Sequence, residues 1–258
     1  MLVTGGTSGL GLEFATRLLE MGNKVIITGR DKGKLDQTKK RLPAVYTFQS
    51  DVSDPGAIVT LYGQVISQFP DLNMLINNAG EMRKIDLLDP AIDLENINRE
   101  IAINLSGPIR MVQQFLPHLL TKSAAAILNV TSGIALVPFP LAPVYGATKS
   151  GLRSYTQSLR VQLKQTKIKV FELVAPGANT PLNDKFAGDV DSKMMMEPAK
   201  LVDIAIRGIQ KDKWEIYPGL SRIIRIMSRV APGILLSQMA KIAEKGLSGR
   251  IAPVAVHR

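Results

Sequence analysis

The sequence predicts an α/β protein: one domain containing a doubly wound parallel sheet of about seven strands, with helices on both faces. Three observations carry that expectation. Short apolar runs alternate with helical patterns along the chain. The runs are continuous rather than alternating apolar with polar, as strands covered on both faces require. A length of 258 residues with 45% hydrophobic content is enough to bury a sizeable core, and α/β folds of this size are often single domains.

The elements follow in order. "MLVTGG" is a short apolar run stopped by glycine; only three residues precede Thr4, so the central first strand is expected to be clipped. Leu10, Phe14, Leu18 and Met21 then recur near helical spacing. "NKVIIT" (23–28) is a β-branched strand, residues 31–42 a polar helix, and "AVYTFQS" (44–50) a third strand. Ile58, Leu61, Val65 and Phe69 mark the next helix, and "NMLINNAG" (73–80) a fourth strand. A long helix is expected over 94–121, with bends at Pro108 and Pro117. "AAAILNVTS" (124–132) is a fifth strand and 144–165 a helix. "IKVFELVAPG" (168–177), a helix near 198–211 and "KWEIYPG" (213–219) complete the alternation. In such sheets ligands bind beyond the carboxyl ends of the strands.

Composition excludes several chemistries. Cysteine is absent, so disulfides, zinc–thiolate sites and cysteine nucleophiles are ruled out. With only His118 and His257, a histidine triad or a histidine metal site is not expected, and His118 reads as structural. No apolar stretch is long enough to span a membrane and no signal peptide is evident, so the expected location is the cytoplasm. Net charge is +10, nearly all of it in residues 151–258, where 18 Lys+Arg face 9 Asp+Glu. That asymmetry favours an anionic partner: a phosphate-bearing cofactor, a membrane surface or nucleic acid. Nucleic acid is not expected, because aromatics are only 5% and no recognition motif is present.

"TGGTSGLG" (4–11) joins the first strand to the first helix. Gly5, Gly9 and Gly11 permit a tight turn and let a pyrophosphate approach the backbone at a helix N-terminus. The second strand ends at Gly29 and Arg30. Arginine suits the 2′-phosphate of NADP(H), which is favoured; Asp31 follows at once and would serve the ribose hydroxyls of NAD(H) instead. Tyr145 and Lys149 fall at i and i+4 on one helix. An ammonium beside a phenol lowers its pKa, making Tyr145 a general acid or base for a carbonyl/alcohol pair. The spacing alone is weak, since chance supplies about 0.6 such Tyr–basic pairs in this composition. Its setting adds weight: Thr131 and Ser132 close the fifth strand, and a Ser132 hydroxyl there would support charge developing on a carbonyl oxygen. Asn104, a poor helix former inside a long helix, is expected to bend it or hold a water.

These residues fall into a known pattern. "TGGTSGLG" (4–11), "SDVSD" (50–54), "NNAG" (77–80), "IAINLSG" (101–107), "NVTS" (129–132), "YGATK" (145–149) and "PGANT" (176–180) occur in one order over nearly the full length. The chain thereby resembles the short-chain dehydrogenases/reductases, and within them a bacterial branch of DltE-like oxidoreductases. The resemblance implies a Rossmann fold and a catalytic tetrad of Asn104, Ser132, Tyr145 and Lys149. Tyr145 would exchange a proton with the substrate oxygen, Lys149 would bind the nicotinamide ribose and depress the Tyr145 pKa, and Asn104 would help hold a relay water. Cofactor contacts would come from Gly5, Thr7, Ser8, Gly9, Leu10 and Gly11, from Arg30, from Asp51 and Val52 beside the adenine, and from Asn78, Ala79 and Gly80. Pro176, Gly177 and Thr180 would face the nicotinamide. Thr180 follows Pro176 by four residues where the family usually has five, and Ser8 is not the basic residue of some NADP-preferring relatives.

The implied activity is NADP(H)-dependent hydride transfer to or from a small-molecule carbonyl or alcohol. The alternative is a catalytically weak nucleotide-binding sensor or scaffold, peripheral on membranes. The apolar loop "GIALVPFPLAPV" (133–144) is expected to wall the substrate pocket, and 181–197, with Met194 to Met196, to form a lid; both would favour a hydrophobic substrate, with core packing as the alternative for these residues. Residues 1–219 read as the catalytic unit and 220–258 as a basic amphipathic extension. Ile223, Ile224, Met227 and Val230 make one stripe there, and Leu235, Leu236, Met239 and Ile242 another. The stripes either pack on the domain or a partner subunit, the favoured reading, or lie on an anionic membrane. Family resemblance implies a homodimer or homotetramer through the helices around 94–121 and 144–165.

Overall fold

The computed structural model describes residues 1–191 and 194–247; His257 lies outside the described residues. Seven strands form one parallel sheet in the order β3-β2-β1-β4-β5-β6-β7. They are β1 (Leu2–Thr4), β2 (Ile26–Gly29), β3 (Tyr46–Gln49), β4 (Met74–Asn77), β5 (Ala125–Ser132), β6 (Ile168–Ala175) and β7 (Glu215–Ile216). The continuous apolar runs are explained by two cores, one on each side of the sheet. Val3, Ile27, Ile76 and Leu128 face one side, under α1 (Gly9–Glu20) and α8 (Pro198–Gln210). Their neighbours Leu2, Ile26, Leu75 and Ile127 face the other, under α3 (Pro55–Gln68), α6 (Gly107–Leu120) and α7 (Pro143–Gln162). Phe115 is fully buried there, with Tyr62 edge-on at 5.2 Å between ring centroids.

Helix α2 (Lys32–Arg41) follows β2, and its N-cap is Asp31, whose side chain accepts from the Lys34 N–H at 3.0 Å. Helix α3 is capped in the same way by Asp54, which accepts from the Gly56 N–H at 2.8 Å. No side chain caps α1.

The expected long helix over 94–121 is interrupted. Two short pieces, α4 (Leu94–Ile97) and α5 (Arg99–Ile101), lead into a π-helical turn at Ala102–Ser106 before α6 begins. Pro108 follows the π turn directly, at the second position of α6, where its missing N–H removes a donor from the ladder at that junction. Pro117 lies inside α6, which continues through it. Asn104 lies in the middle of the π turn, its buried amide turned toward the chain after β4. The last expected strand, 213–219, contracts to two residues of β7 paired with Glu172 and Leu173.

After β7 come α9 (Leu220–Val230) and α10 (Pro232–Gly246), parted at Ala231 with Pro232 opening α10. A third cluster joins Ala243 and Leu247 to Phe139, Leu141, Tyr145 and Phe186, so α10 packs beside the carboxyl end of the sheet. His118 is buried and its Nε2 pairs with the Leu72 carbonyl at 3.0 Å, a structural role. Among the described residues no helix is long and apolar enough to cross a membrane.

Candidate active site

A cleft of about 600 Å³ opens at the carboxyl ends of the strands. Its floor is the β1–α1 loop. Gly5 has φ +66°, and a Cβ there would lie 2.8 Å from the Ala79 Cα. Gly11 is required for a different reason: a Cβ would lie 2.2 Å from the Gly5 carbonyl oxygen and 2.5 Å from the Asn78 amide. Asn78 braces this loop, donating from Nδ2 to the carbonyls of Thr4 (3.0 Å) and Gly5 (3.2 Å). The Thr4 hydroxyl accepts from the N–H groups of Asn78 and Ala79, both at 3.0 Å. Thr4 was not among the expected site residues, although its place at the end of β1 was a usable signal. The first N–H groups of a helix lack intrahelical acceptors, and here no side chain supplies one. Glycine backbone, close approach and an uncapped helix end fit a pyrophosphate.

Thr7, Ser8, Gly9 and Leu10 line the same floor, and Arg30, Asp51 and Val52 line one end. Asp51 is turned into its own loop, accepting from the Ser53 N–H at 2.9 Å and the Ser53 hydroxyl at 2.7 Å. Arg30 stays half exposed, with Glu81 across the mouth at 3.7 Å; Glu81 also pairs with Arg99 at 3.0 Å. Ala79, Gly80, Pro176, Gly177 and Thr180 line the cleft, Thr180 lying over Gly9.

Ser132, Tyr145 and Lys149 converge on the same cleft. Ser132 ends β5 and caps a 3₁₀ turn (Gly133–Leu136), accepting from the Ile134 N–H at 3.3 Å. Tyr145 and Lys149 project from the first turns of α7, both buried. Asn104 and Gly11 stand behind the lining. Asn104 accepts from the Glu81 N–H at 2.8 Å, donates to the Glu81 carbonyl at 2.7 Å, and reaches the Thr148 hydroxyl at 3.3 Å. It thus ties the chain after β4 to the helix bearing Tyr145 and Lys149.

The electrostatics of the pair are governed first by burial. Burial pushes the Tyr145 phenol above its ordinary value; the Ser132 hydrogen bond pulls it back in part, and Glu100 adds to the rise. The Lys149 ammonium donates to the Val130 carbonyl at 2.9 Å and stands 5.6 Å from the Tyr145 ring centroid. Burial brings the Lys149 pKa down from 10.5 to about 8. An unfolded Lys149 holds its proton up to its ordinary pKa and the folded one only to about 8, so stability rises with pH between those values. Urea unfolding from pH 8 to 10 should show the wild type gaining on the order of 2–3 kcal/mol relative to Lys149→Met. Parallel pH profiles for the two proteins would show that Lys149 is not depressed.

Two further expectations change. Of the loop 133–144, only Gly133 and Ile134 line the cleft; Val137, Phe139 and Leu141 are buried, the latter two against α10. Met194 is exposed, Met195 lies against Gly177, and Met196 is partly buried against the core while its N–H donates to the Gly177 carbonyl, so none of the three lines the cleft. The apolar lining comes instead from Met82, Leu182, Leu220 and Ile224. Leu220 and Ile224 belong to α9. Ile224 belongs to a helical stripe visible in the sequence, whereas Leu220 was outside that stripe and the place of α9 beside the cleft carried no local signal.

The comparisons agree with this geometry. The short chain dehydrogenase family model matches residues 1–190. The uncharacterized oxidoreductase DltE of Bacillus subtilis (strain 168) is 43% identical over 185 residues, covering 72% of this chain and 73% of that protein. The NADP-dependent 3-hydroxy acid dehydrogenase YdfG of Salmonella typhi is 34% identical over 178 residues, covering 69% and 71%. A short chain dehydrogenase from Burkholderia cenocepacia, solved in complex with NADP, superposes with a TM-score of 0.80 at 25% identity, covering 92% of this chain and 95% of that one. Fold and family together define an oxidoreductase of the Rossmann type. The chain belongs to the short-chain dehydrogenase/reductase family, in its DltE-like branch.

Proposed function

We propose that this protein transfers a hydride between NADP(H) and the carbonyl or alcohol of a largely apolar small molecule. The observation that carries the reading is the convergence of Ser132, Tyr145 and Lys149 on one cleft with the glycine cradle and uncapped end of α1. The nicotinamide would supply or accept the hydride. Gly5 to Gly11 and Asn78 to Gly80 would hold the dinucleotide, with Asp51 and Val52 beside its adenine and Pro176, Gly177 and Thr180 beside its nicotinamide. In the reducing direction Tyr145, kept neutral by burial, gives its proton to the substrate oxygen. Ser132 donates a hydrogen bond to that oxygen as charge develops on it. Lys149 would hold the nicotinamide ribose and return a proton to Tyr145. Asn104 keeps α7 in register with the chain after β4.

The preference for NADP(H) over NAD(H) rests on Arg30 and Asp31. The Asp31 carboxylate is engaged as the cap of α2, while the half-exposed Arg30 guanidinium lines the cleft with only the longer 3.7 Å pair to Glu81. Fluorescence titration should show NADPH binding at least about tenfold tighter than NADH, and Arg30→Ala should abolish that difference by weakening NADPH alone. Tighter binding of NADH by the wild type would overturn the assignment.

Met82, Ile134, Leu182, Leu220 and Ile224 form the apolar end of the cleft and favour a hydrophobic substrate. Residues 181–197 are proposed as a lid over it, 1–219 as the catalytic unit and 220–258 as its basic extension. Outward-facing Leu120 and Val161, at the ends of α6 and α7, support a homodimer or homotetramer through those helices.

A further inference from the structure

Helix α9 has two apolar faces with different surroundings. Its inner face carries Leu220 and Ile224 into the cleft, and Ile224 packs against Gly133. Its outer face carries Ile223, Ile226 and Val230, spaced three and four apart on one side and exposed by 57%, 57% and 77%. Ile234 and Leu236 at the start of α10 add to the outward apolar surface. Large β-branched side chains clustered this way are not explained by solvent.

Beside this face lies a second hollow, of about 330 Å³, between α8, β7 and α9. Arg207, Lys211, Lys213, Arg222 and Arg225 line it, and Glu215 is the only acidic residue among its described lining. That carboxylate is already shared by Arg153, Arg160 and Arg225, at 3.4, 3.9 and 3.4 Å. Arg225 is further held over the Tyr217 ring, 4.4 Å from its centroid. Five cations therefore line a concavity whose one carboxylate among the described lining is already paired. Arg222 and Arg229 flank the exposed isoleucines on the same helix. An apolar stripe bordered by cations, next to a cationic hollow of phosphate-group size, is complementary to one surface in particular: a bilayer with anionic headgroups.

We propose that the outer face of α9 docks on an anionic phospholipid surface, with Ile223, Ile226 and Val230 entering the headgroup–acyl boundary and the hollow under Arg222 receiving a lipid phosphate. Docking there places the apolar end of the cleft, whose wall is the other face of the same helix, at the lipid surface. A hydrophobic carbonyl substrate then passes from the acyl phase along α9 into the cleft; that last step rests on the function proposed above, whereas the docking does not.

The test is co-sedimentation of the full chain with vesicles of phosphatidylcholine alone or with roughly one third phosphatidylglycerol. The expected result is recovery with the anionic vesicles, lost as salt rises, and little recovery with phosphatidylcholine. Ile223→Ser/Ile226→Ser should lower the partition at least about tenfold, and Lys211→Gln/Lys213→Gln by on the order of tenfold or more, both with unchanged NADPH affinity and thermal midpoint. Equal recovery on both vesicle types, no recovery, or unchanged partition of the variants would overturn the docking. A dimer in sedimentation velocity that Ile223→Ser/Ile226→Ser dissociates, without vesicle binding, would assign the face to a second copy. Thermal stabilisation by inorganic phosphate without vesicle recovery would assign the hollow to a free anion. Vesicle binding by a chain that fails to bind NADPH in fluorescence titration would leave the docking standing and reject the NADP(H) reading of the cleft.

Discussion

Replacing Tyr145 by phenylalanine should lower kcat by about 10²–10⁴-fold, the usual contribution of a positioned proton donor, while NADPH binds as before. The ring is buried among Met82, Phe139, Leu141 and Phe186, and phenylalanine preserves that packing. Folding stability should therefore change by no more than about 1 kcal/mol, the net worth of one buried hydroxyl. Stopped-flow single-turnover kinetics with bound NADPH separate loss of proton transfer from loss of binding. A variant that keeps more than a tenth of wild-type turnover would remove Tyr145 from the proton path.

The largest stability effect is expected at Arg153. Glu172 is fully buried in β6 and holds Arg153 at 2.7 Å and the Thr131 hydroxyl at 2.7 Å. Arg153→Ala leaves that carboxylate without its cation, a loss of about 3–5 kcal/mol in comparable buried pairs and a large share of typical domain stability. Burial already raises the Glu172 pKa, opposed by Thr131 and Arg153. Removing Arg153 raises it further, so the folded variant takes up a proton that the unfolded chain does not hold near neutrality. Its stability deficit should accordingly grow as pH rises from about 5 to 8 in urea unfolding. A deficit below about 1 kcal/mol, flat across that range, would show that Glu172 is solvated or otherwise paired. Ser132 should also feel the change, since Thr131 precedes it on β5.

Most of the sheet and much of the cleft were legible because they depend on local signals. Apolar runs of strand length, bounded by glycine or polar residues, located all seven strands, and their lack of alternation indicated cover on both faces. The cleft lining follows from those strand ends. What local signals did not carry was anything set by contacts distant in sequence. The π turn at Asn104 is maintained by hydrogen bonds to Glu81, 23 positions away, and 94–121 therefore read as one helix. The Asp31 cap was legible in principle, since Asp directly before a polar helical run is a standard start signal. The i,i+4 spacing brings Tyr145 and Lys149 together, whereas the Val130 carbonyl that accepts from Lys149 lies on another element and carries no local signal. The proline-rich loop looked like a pocket wall because it lies between Ser132 and Tyr145, yet its Phe139 and Leu141 pack against α10.

The strand order also bears on synthesis. Strand β1 lies at the middle of the sheet, between β2 and β4, and the Asn78 contacts that brace its glycine loop come from 74 positions downstream. At ribosomal speeds of about 5–20 residues per second, Thr4 waits roughly 4–15 s for that partner to be made. During that interval Leu2 and Val3 can pair only with β2, leaving one edge of a fully apolar strand open. The nascent chain is therefore most exposed to chaperone capture or edge-to-edge association before β4 emerges, and a pause placed early in the message would lengthen that exposure.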